Sequence, residues 1–214
     1  MPIICLEGAS AVGKTTTSKT LAEQYGAYIV EEVHFLFEQP KLEPHEITQW
    51  LLERQLDRWR IAREKLQSHD LVVLDGDHFK MWYDWIYGED KAAFQTSYSF
   101  FKKEIMNSHF GFPDKYFVLY INQEELTTRK VNDTTRSRRN FEKHLKLIDP
   151  QKEYFKALNN FRPNYVEFIE AKSVEQNIQI ILDSVSNLSS TNRDSLELFE
   201  NVMEWFCRNE IDES

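Results

Sequence analysis

The sequence predicts an α/β domain of three layers, in which a five-stranded parallel sheet lies between helices on both faces. Short apolar runs recur along the chain, separated by stretches of helical periodicity, the alternation that parallel strands with right-handed crossovers produce. The first of these runs leads directly into a glycine-containing turn that opens a helix. The 214 residues, 41% hydrophobic and 14% aromatic, supply one good-sized core and exclude disorder for most of the chain.

Ile3 to Leu6, between Pro2 and the turn at Gly8, reads as a buried strand. Helix formers run from Lys14 to Tyr25, Gly26 supplies a stop, and Ala27 to Val30 forms the second strand. Ile47, Trp50, Leu51, Leu52, Leu56, Trp59 and Ile61 recur at helical spacing among charges, which predicts a half-solvated helix over Ile47 to Leu66. Leu71 to Leu74 is the third strand. Tyr116 to Ile121, after the turn residues Gly111, Pro113 and Asp114, is the fourth, and Tyr165 to Ile169, after Pro163, a weaker fifth. Helical stretches lie between them, and no internal repeat is visible. Ser184 to Arg193 is polar and reads as a linker; beyond it Leu196, Phe199, Val202, Met203 and Phe206 predict a helix docked on the core. The expected organisation is a main domain over 1–184 and a linker with a packed helix over 185–214.

The 35 acidic residues outnumber the 26 basic ones, and a net charge of −9 repels duplex nucleic acid, so any basic cluster is local. Cys5 and Cys207 are too few for a disulfide framework and lack CxxC spacing, which fits a reducing compartment. Met1 to Glu7 has no basic flank, and no stretch approaches the ~18 apolar residues of a membrane span; a cytoplasmic protein that neither is secreted nor spans a membrane is expected. The histidines show no ligand-like clustering.

Gly8-Ala9-Ser10-Ala11-Val12-Gly13-Lys14-Thr15 matches GxxxxGK[ST] between a strand and a helix, the context the motif needs. Its glycines allow a tight fold in which successive N–H groups converge on phosphate oxygens, and the new helix aims its positive end at the same anion. Lys14 adds a mobile charge, Thr15 a hydroxyl for magnesium, and Thr16 a further phosphate contact. The third strand ends in Asp75, which brings a carboxylate to the same sheet edge as a second magnesium ligand, with Asp77 in reserve; a capping role for Asp75 is the alternative.

These residues resemble the P-loop kinases of small molecules, the nucleoside and nucleoside-monophosphate kinase group that includes thymidylate kinases and deoxynucleoside kinases. Besides the cradle, the resemblance, which spans Pro2 to Ser184, rests on Glu31-Glu32-Val33, Glu53-Arg54-Gln55, Asp75-Gly76-Asp77 and the arginine-rich Arg129 to Glu142. It implies a P-loop NTPase fold of the nucleoside-monophosphate-kinase type with a lid over about residues 129–142, and transfer of the terminal phosphoryl group of magnesium ATP to a small acceptor, a nucleoside or nucleotide. The Asp-Arg-Tyr or Glu-Arg-Ser signature usual after the third strand stands here as Asp75-Gly76-Asp77, without its arginine.

Deoxynucleoside kinases carry a catalytic base just after the second strand, and Glu31 looks like its counterpart, with Glu32, Asp75 and Asp77 as rivals. A carboxylate at this sheet edge is within reach of a hydroxyl attacking a phosphate held in the cradle. Arg129, Lys130, Arg136, Arg138 and Arg139 look like a kinase lid, whose guanidinium groups would stabilise the transferring charge and expel water, while Arg129 could instead stack on adenine. A solvated basic helix paired with Glu124, Glu125 and Glu142 is the plainer reading. Trp50, Arg54 and Gln55, with the aromatic stretch that includes Trp82 and Tyr83, are candidates to enclose and hydrogen-bond a planar acceptor, or simply core; Glu32 and Asp77 join them as acceptor contacts. A homodimer stays open. An antibiotic or metabolite phosphotransferase of the chloramphenicol phosphotransferase type has a similar cradle and acidic base, and a nucleotide-dependent switch that docks a partner protein on its C-terminal helix is the non-kinase alternative.

Overall fold

The computed structural model describes residues 1–87, 91–132, 141, 145–188 and 192–209. Five strands, β1 (Ile3–Gly8), β2 (Tyr28–Val30), β3 (Val72–Asp75), β4 (Lys115–Tyr120) and β5 (Val166–Glu170), pair in parallel in the order β2-β3-β1-β4-β5. They alternate with helices α1 (Lys14–Tyr25), α2 (Val33–Leu36), α3 (Pro44–Lys65), α4 (Met81–Tyr87), α5 (Lys91–Met106), α6 (Gln123–Asn132), α7 (Ile148–Phe161), α8 (Val174–Ser186) and α9 (Leu196–Arg208). This is the three-layer P-loop architecture the sequence predicts.

Successive strand residues point to opposite faces, and each face has its own apolar layer. Ile3, Cys5, Val72 and Leu74 pack with Trp59 of α3, Phe101 of α5, Phe155 of α7 and Phe206 of α9. Ile4, Leu6, Val73 and Phe117 pack with Leu21 of α1 and with Ile178 and Ile181 of α8. Sheet register brings Leu6 level with Asp75 and Gly8 level with Leu119, so the cradle and the end of β3 share one edge. Cys5 is sealed in the sheet, whereas Cys207 is exposed on α9. Among the described residues, no helix is long and apolar enough to cross a membrane.

The long helix starts at Pro44, before the apolar periodicity begins, because the Glu46 carboxylate accepts from the Glu43 N–H at 2.9 Å and proline, lacking an N–H, suits a first helical turn. The fourth strand runs one residue earlier than expected, from Lys115. The segment 184–193, expected as a linker, opens with the last turn of α8 and ends on an anchor. The Arg193 guanidinium donates to Asp114 at 2.6 Å, Asp114 accepts from the Ile3 N–H at 2.7 Å, and the Phe112 N–H donates to the Arg193 carbonyl at 2.8 Å. From there Ser195 caps α9 by accepting from the Leu198 N–H, and α9 buries Leu198, Phe199, Val202, Met203 and Phe206 against α5 and α7.

Gly8 has a φ of +138°, and a Cβ there would lie 2.2 Å from the Leu119 carbonyl oxygen. That atom belongs to a central strand and cannot yield. Gly8→Ala is therefore expected to lower the unfolding free energy by about 2–4 kcal/mol; an unchanged urea midpoint would contradict the close approach.

Candidate functional site

The turn from Gly8 to Lys14 alternates ordinary and left-handed residues, with φ of +138° at Gly8, +75° at Ala11 and +112° at Gly13. Such alternation turns successive amides toward one concavity, which favours an anion. Ala11 adopts its left-handed conformation without glycine's freedom, at a cost of order 1 kcal/mol or more, the kind of strain that clusters at working sites. Val12 plugs into the apolar layer below and pins the loop. The Lys14 ammonium turns back to donate to the carbonyls of Gly8 at 2.5 Å and Ala9 at 3.3 Å, with the Glu7 carboxylate 3.9 Å away.

Thr15 donates its hydroxyl to Asp75 Oδ2 at 3.1 Å, joining the first turn of α1 to the end of β3. The other oxygen, Asp75 Oδ1, is buried without a hydrogen-bond partner. Burial raises the Asp75 pKa above the usual carboxylate range, and Glu32 adds to this, while Lys14, the Thr15 hydrogen bond and Arg58 act the other way. A buried, unsatisfied carboxylate oxygen beside a hydroxyl is a donor set suited to a hard cation. Among the described residues no group of three or more His, Cys, Asp or Glu is placed for a metal.

Beneath the loop lies a buried charged network. Glu7 accepts from the N–H groups of Gly8 and Asp77, both at 2.8 Å. Arg58, fully buried on α3, donates to the carbonyls of Asp75 at 2.8 Å, Gly76 at 2.9 Å and Val30 at 3.4 Å, and to the Gln55 side chain at 2.8 Å. Asp77 accepts from Tyr116 Oη at 2.9 Å, Trp82 Nε1 at 3.1 Å and the N–H groups of Phe79 and Lys80. Burial first, then the neighbouring Glu7 carboxylate, push the Asp77 carboxyl up to about 6 against the pull of these hydrogen bonds.

A cavity of about 1060 Å³ opens over the loop, bordered by Glu32, His34, Phe35, Lys80, Trp82 and Tyr83 from the segments after β2 and β3, by Arg129 and Val174 from those after β4 and β5, and by Ile148 and Gln151 of α7. The structure thus brings Gly8, Ala9, Ser10, Ala11, Gly13, Lys14, Thr15, Thr16, Asp75, Glu32, Trp82, Tyr83 and Arg129 to one space. Glu32 borders it and Glu31 does not. Burial would raise the Glu32 pKa, but Lys80, Lys14, Arg58 and His34 together hold it below the usual range. Arg129 is fixed by donating to the carbonyls of Val12 at 3.1 Å and Ala171 at 2.7 Å, which clamps α6 against the cradle.

Gln55 and Asp77, expected to touch an acceptor, are instead sealed in the charged network, because each is buried and used up by internal donors. Trp50 and Arg54 also lie outside the cavity border: the Arg54 guanidinium pairs with Asp57 at 2.9 Å and lies over the rings of Phe37 and Trp50. Arg136, Arg138 and Arg139 lie outside the described residues. Sequence reasoning missed Glu7, Arg58 and Lys80. Two had a signal: Glu7 is a charge inside an otherwise apolar strand, and Arg58 sits between Leu56 and Trp59 on the apolar side of its helix.

Solved structures with the same arrangement of strands and helices include deoxyadenosine kinase from M. mycoides with bound dATP, at 16% identity and a TM-score of 0.56, with 87% of this chain and 100% of the other aligned. The same kinase with products dCMP and a flexible dCDP bound gives 16% identity and a TM-score of 0.53, covering 86% and 98%. The chain has the fold of the P-loop deoxynucleoside kinases. No family model matches the sequence, and no curated protein does.

Because the folded Asp77 pKa exceeds that of an unfolded aspartate, its contribution to stability is fully present below about pH 4 and is lost as pH rises through about 6. Carboxyl-carbon NMR is expected to show Asp77 titrating near 6, and Tyr116→Phe, which removes a donor to the ionised form, to raise that value further. A shift downward in the variant would contradict this role for the phenol.

Proposed function

We propose that the protein transfers the terminal phosphoryl group of magnesium ATP to a hydroxyl of a small uncharged acceptor, a nucleoside. The observation that carries the reading is the convergence of the Lys14 ammonium, the Thr15–Asp75 pair with its unsatisfied oxygen, and the Glu32 carboxylate on one cavity.

In this reaction the amides from Gly13 to Thr16, at the start of α1, bind the donor phosphates, and Lys14 leaves the Gly8 and Ala9 carbonyls for the transferring group. Thr15 and Asp75 would hold magnesium, which would supply positive charge to offset that of the donor phosphates. Glu32 accepts the proton of the acceptor hydroxyl as its oxygen bonds to the terminal phosphorus, the bond to the bridging oxygen breaks, and ADP leaves. Glu32 takes this role in place of Glu31 because it is the carboxylate at the cavity, and its lowered pKa keeps it ionised near neutral pH. Arg136, Arg138 and Arg139 are assigned to stabilising the charge of the transferring group.

An uncharged acceptor follows from the charges on its side of the cavity. Among the described residues that border that side, Lys80 lies 3.9 Å from Glu32 and none is an arginine. A nucleoside monophosphate would bring its dianion toward Glu32 and Asp75 without a guanidinium to receive it. Trp82 and Tyr83 supply aromatic surface for a planar base.

Incubation with labelled ATP, magnesium and a panel of nucleosides, nucleoside monophosphates, chloramphenicol and aminoglycosides is expected to yield a phosphorylated nucleoside; hydrolysis to ADP alone overturns the reading. Lys14→Ala is expected to lower kcat by roughly 10³-fold or more. Glu32→Gln should lower kcat by about 10²–10⁴-fold while the KM for ATP stays within about twofold, whereas Glu31→Gln should leave kcat nearly unchanged.

A further inference from the structure

We propose that the C-terminal helix α9 sets the affinity for the acceptor, with Trp205 and Phe206 acting as positioning residues for the cavity wall. Naming that wall the acceptor side rests on the proposed function; the hold of α9 on it rests on packing alone.

The wall is carried by α4, a helix of seven residues. A helix this short has little stability of its own and takes its position from its neighbours. At its start, Trp82 is held by the hydrogen bond from Nε1 to Asp77. One turn on, Trp85 is held by α9: its ring lies 4.9 Å from Trp205 and 5.3 Å from Phe206, and its Nε1 donates to the Asn209 carbonyl at 3.0 Å. α9 and the Asn209 that follows it therefore grip the far end of the same helix whose near end borders the cavity.

Phe206 also stacks on Tyr154 of α7, with ring centres 5.3 Å apart and planes 9° apart. Tyr154 lies three residues after Gln151, a buried side chain that borders the cavity, so the two share a face of α7. One aromatic cluster on α9 thus ties together both helices that meet at this wall. The donor side is built from α1, α6 and the segment leading into α8, and among the described residues no aromatic ring of these pairs with the cluster's rings. A loosened cluster should be felt at the acceptor and not at the nucleotide.

Trp205 is half-buried, so its replacement spares the core that Phe206 fills. In the full-length protein, Trp205→Ala is expected to raise the KM for the nucleoside roughly fivefold to tenfold, with the KM for ATP unchanged within about twofold and with Trp205→Phe restoring most of the loss. Hydrogen exchange read without substrate should show faster exchange across 81–87 in Trp205→Ala and unaltered protection across 14–25. Equal loss of protection in both segments, both KM values rising together, or neither KM moving would overturn the proposal. Should the wild-type protein phosphorylate nothing, the kinase reading falls while the exchange comparison still decides whether α9 holds α4.

Discussion

Three buried charges set the geometry on which everything above them rests. Arg58 reaches from α3 to the carbonyls at the ends of β2 and β3, and Glu7 gathers the N–H of Gly8, the last residue of β1, and the N–H of Asp77 just beyond β3. Carbonyls and amides at the ends of parallel strands have no further ladder partners, and buried they would each cost free energy. The guanidinium and the carboxylates satisfy them and at the same time fix the spacing of three strand ends. Asp77 completes the set by fastening the turn into α4 to Tyr116 on the other flank of β1. The turn from Gly8 to Lys14 is thus mounted on a polar platform, and its own strained residue at Ala11 is held by structure beneath it.

Electrostatics divide sharply across this platform. Below it, full burial keeps Asp77 reluctant to ionise and holds His78 down to about 3, stacked on Trp59 with its Nε2 donating to the Gly111 carbonyl at 2.7 Å. Above it, Glu32 has cations on several sides and stays ionised, while Asp75 keeps one oxygen unsatisfied. Carboxylates gathered at one edge of the sheet, such as Glu32 and Asp77, therefore have different characters because of what surrounds them. The layer below serves structure, and the layer above is left chemically unfinished.

The parts legible in the sequence were those governed by local rules. GxxxxGKT between a strand and a helix located the cradle, and the apolar runs placed all five strands to within a residue or two. The amphipathic spacing of Leu196 to Phe206 gave the docked helix. Side chains whose roles depend on partners far along the chain were not legible. Arg58 acts on carbonyls 17 and 18 residues away, and Glu7 on an amide 70 residues away. For the same reason Gln55 and Asp77 read as ligand contacts: polarity beside aromatic residues marks a binding wall and a satisfied core network alike, and only packing tells them apart.

The strand order places β1 in the middle, and the two flanks of the cavity come from different stretches of chain. Glu32, Lys80, Trp82 and Tyr83 follow β2 and β3, while Arg129 and Val174 follow β4 and β5. Under the proposed chemistry, a lineage could exchange one alcohol for another by drift in the first flank and in the α7 and α9 side chains that brace it, with the nucleotide clamp inherited intact. Diversification would then run along one edge of the molecule, and its ancestry would be best preserved along the other.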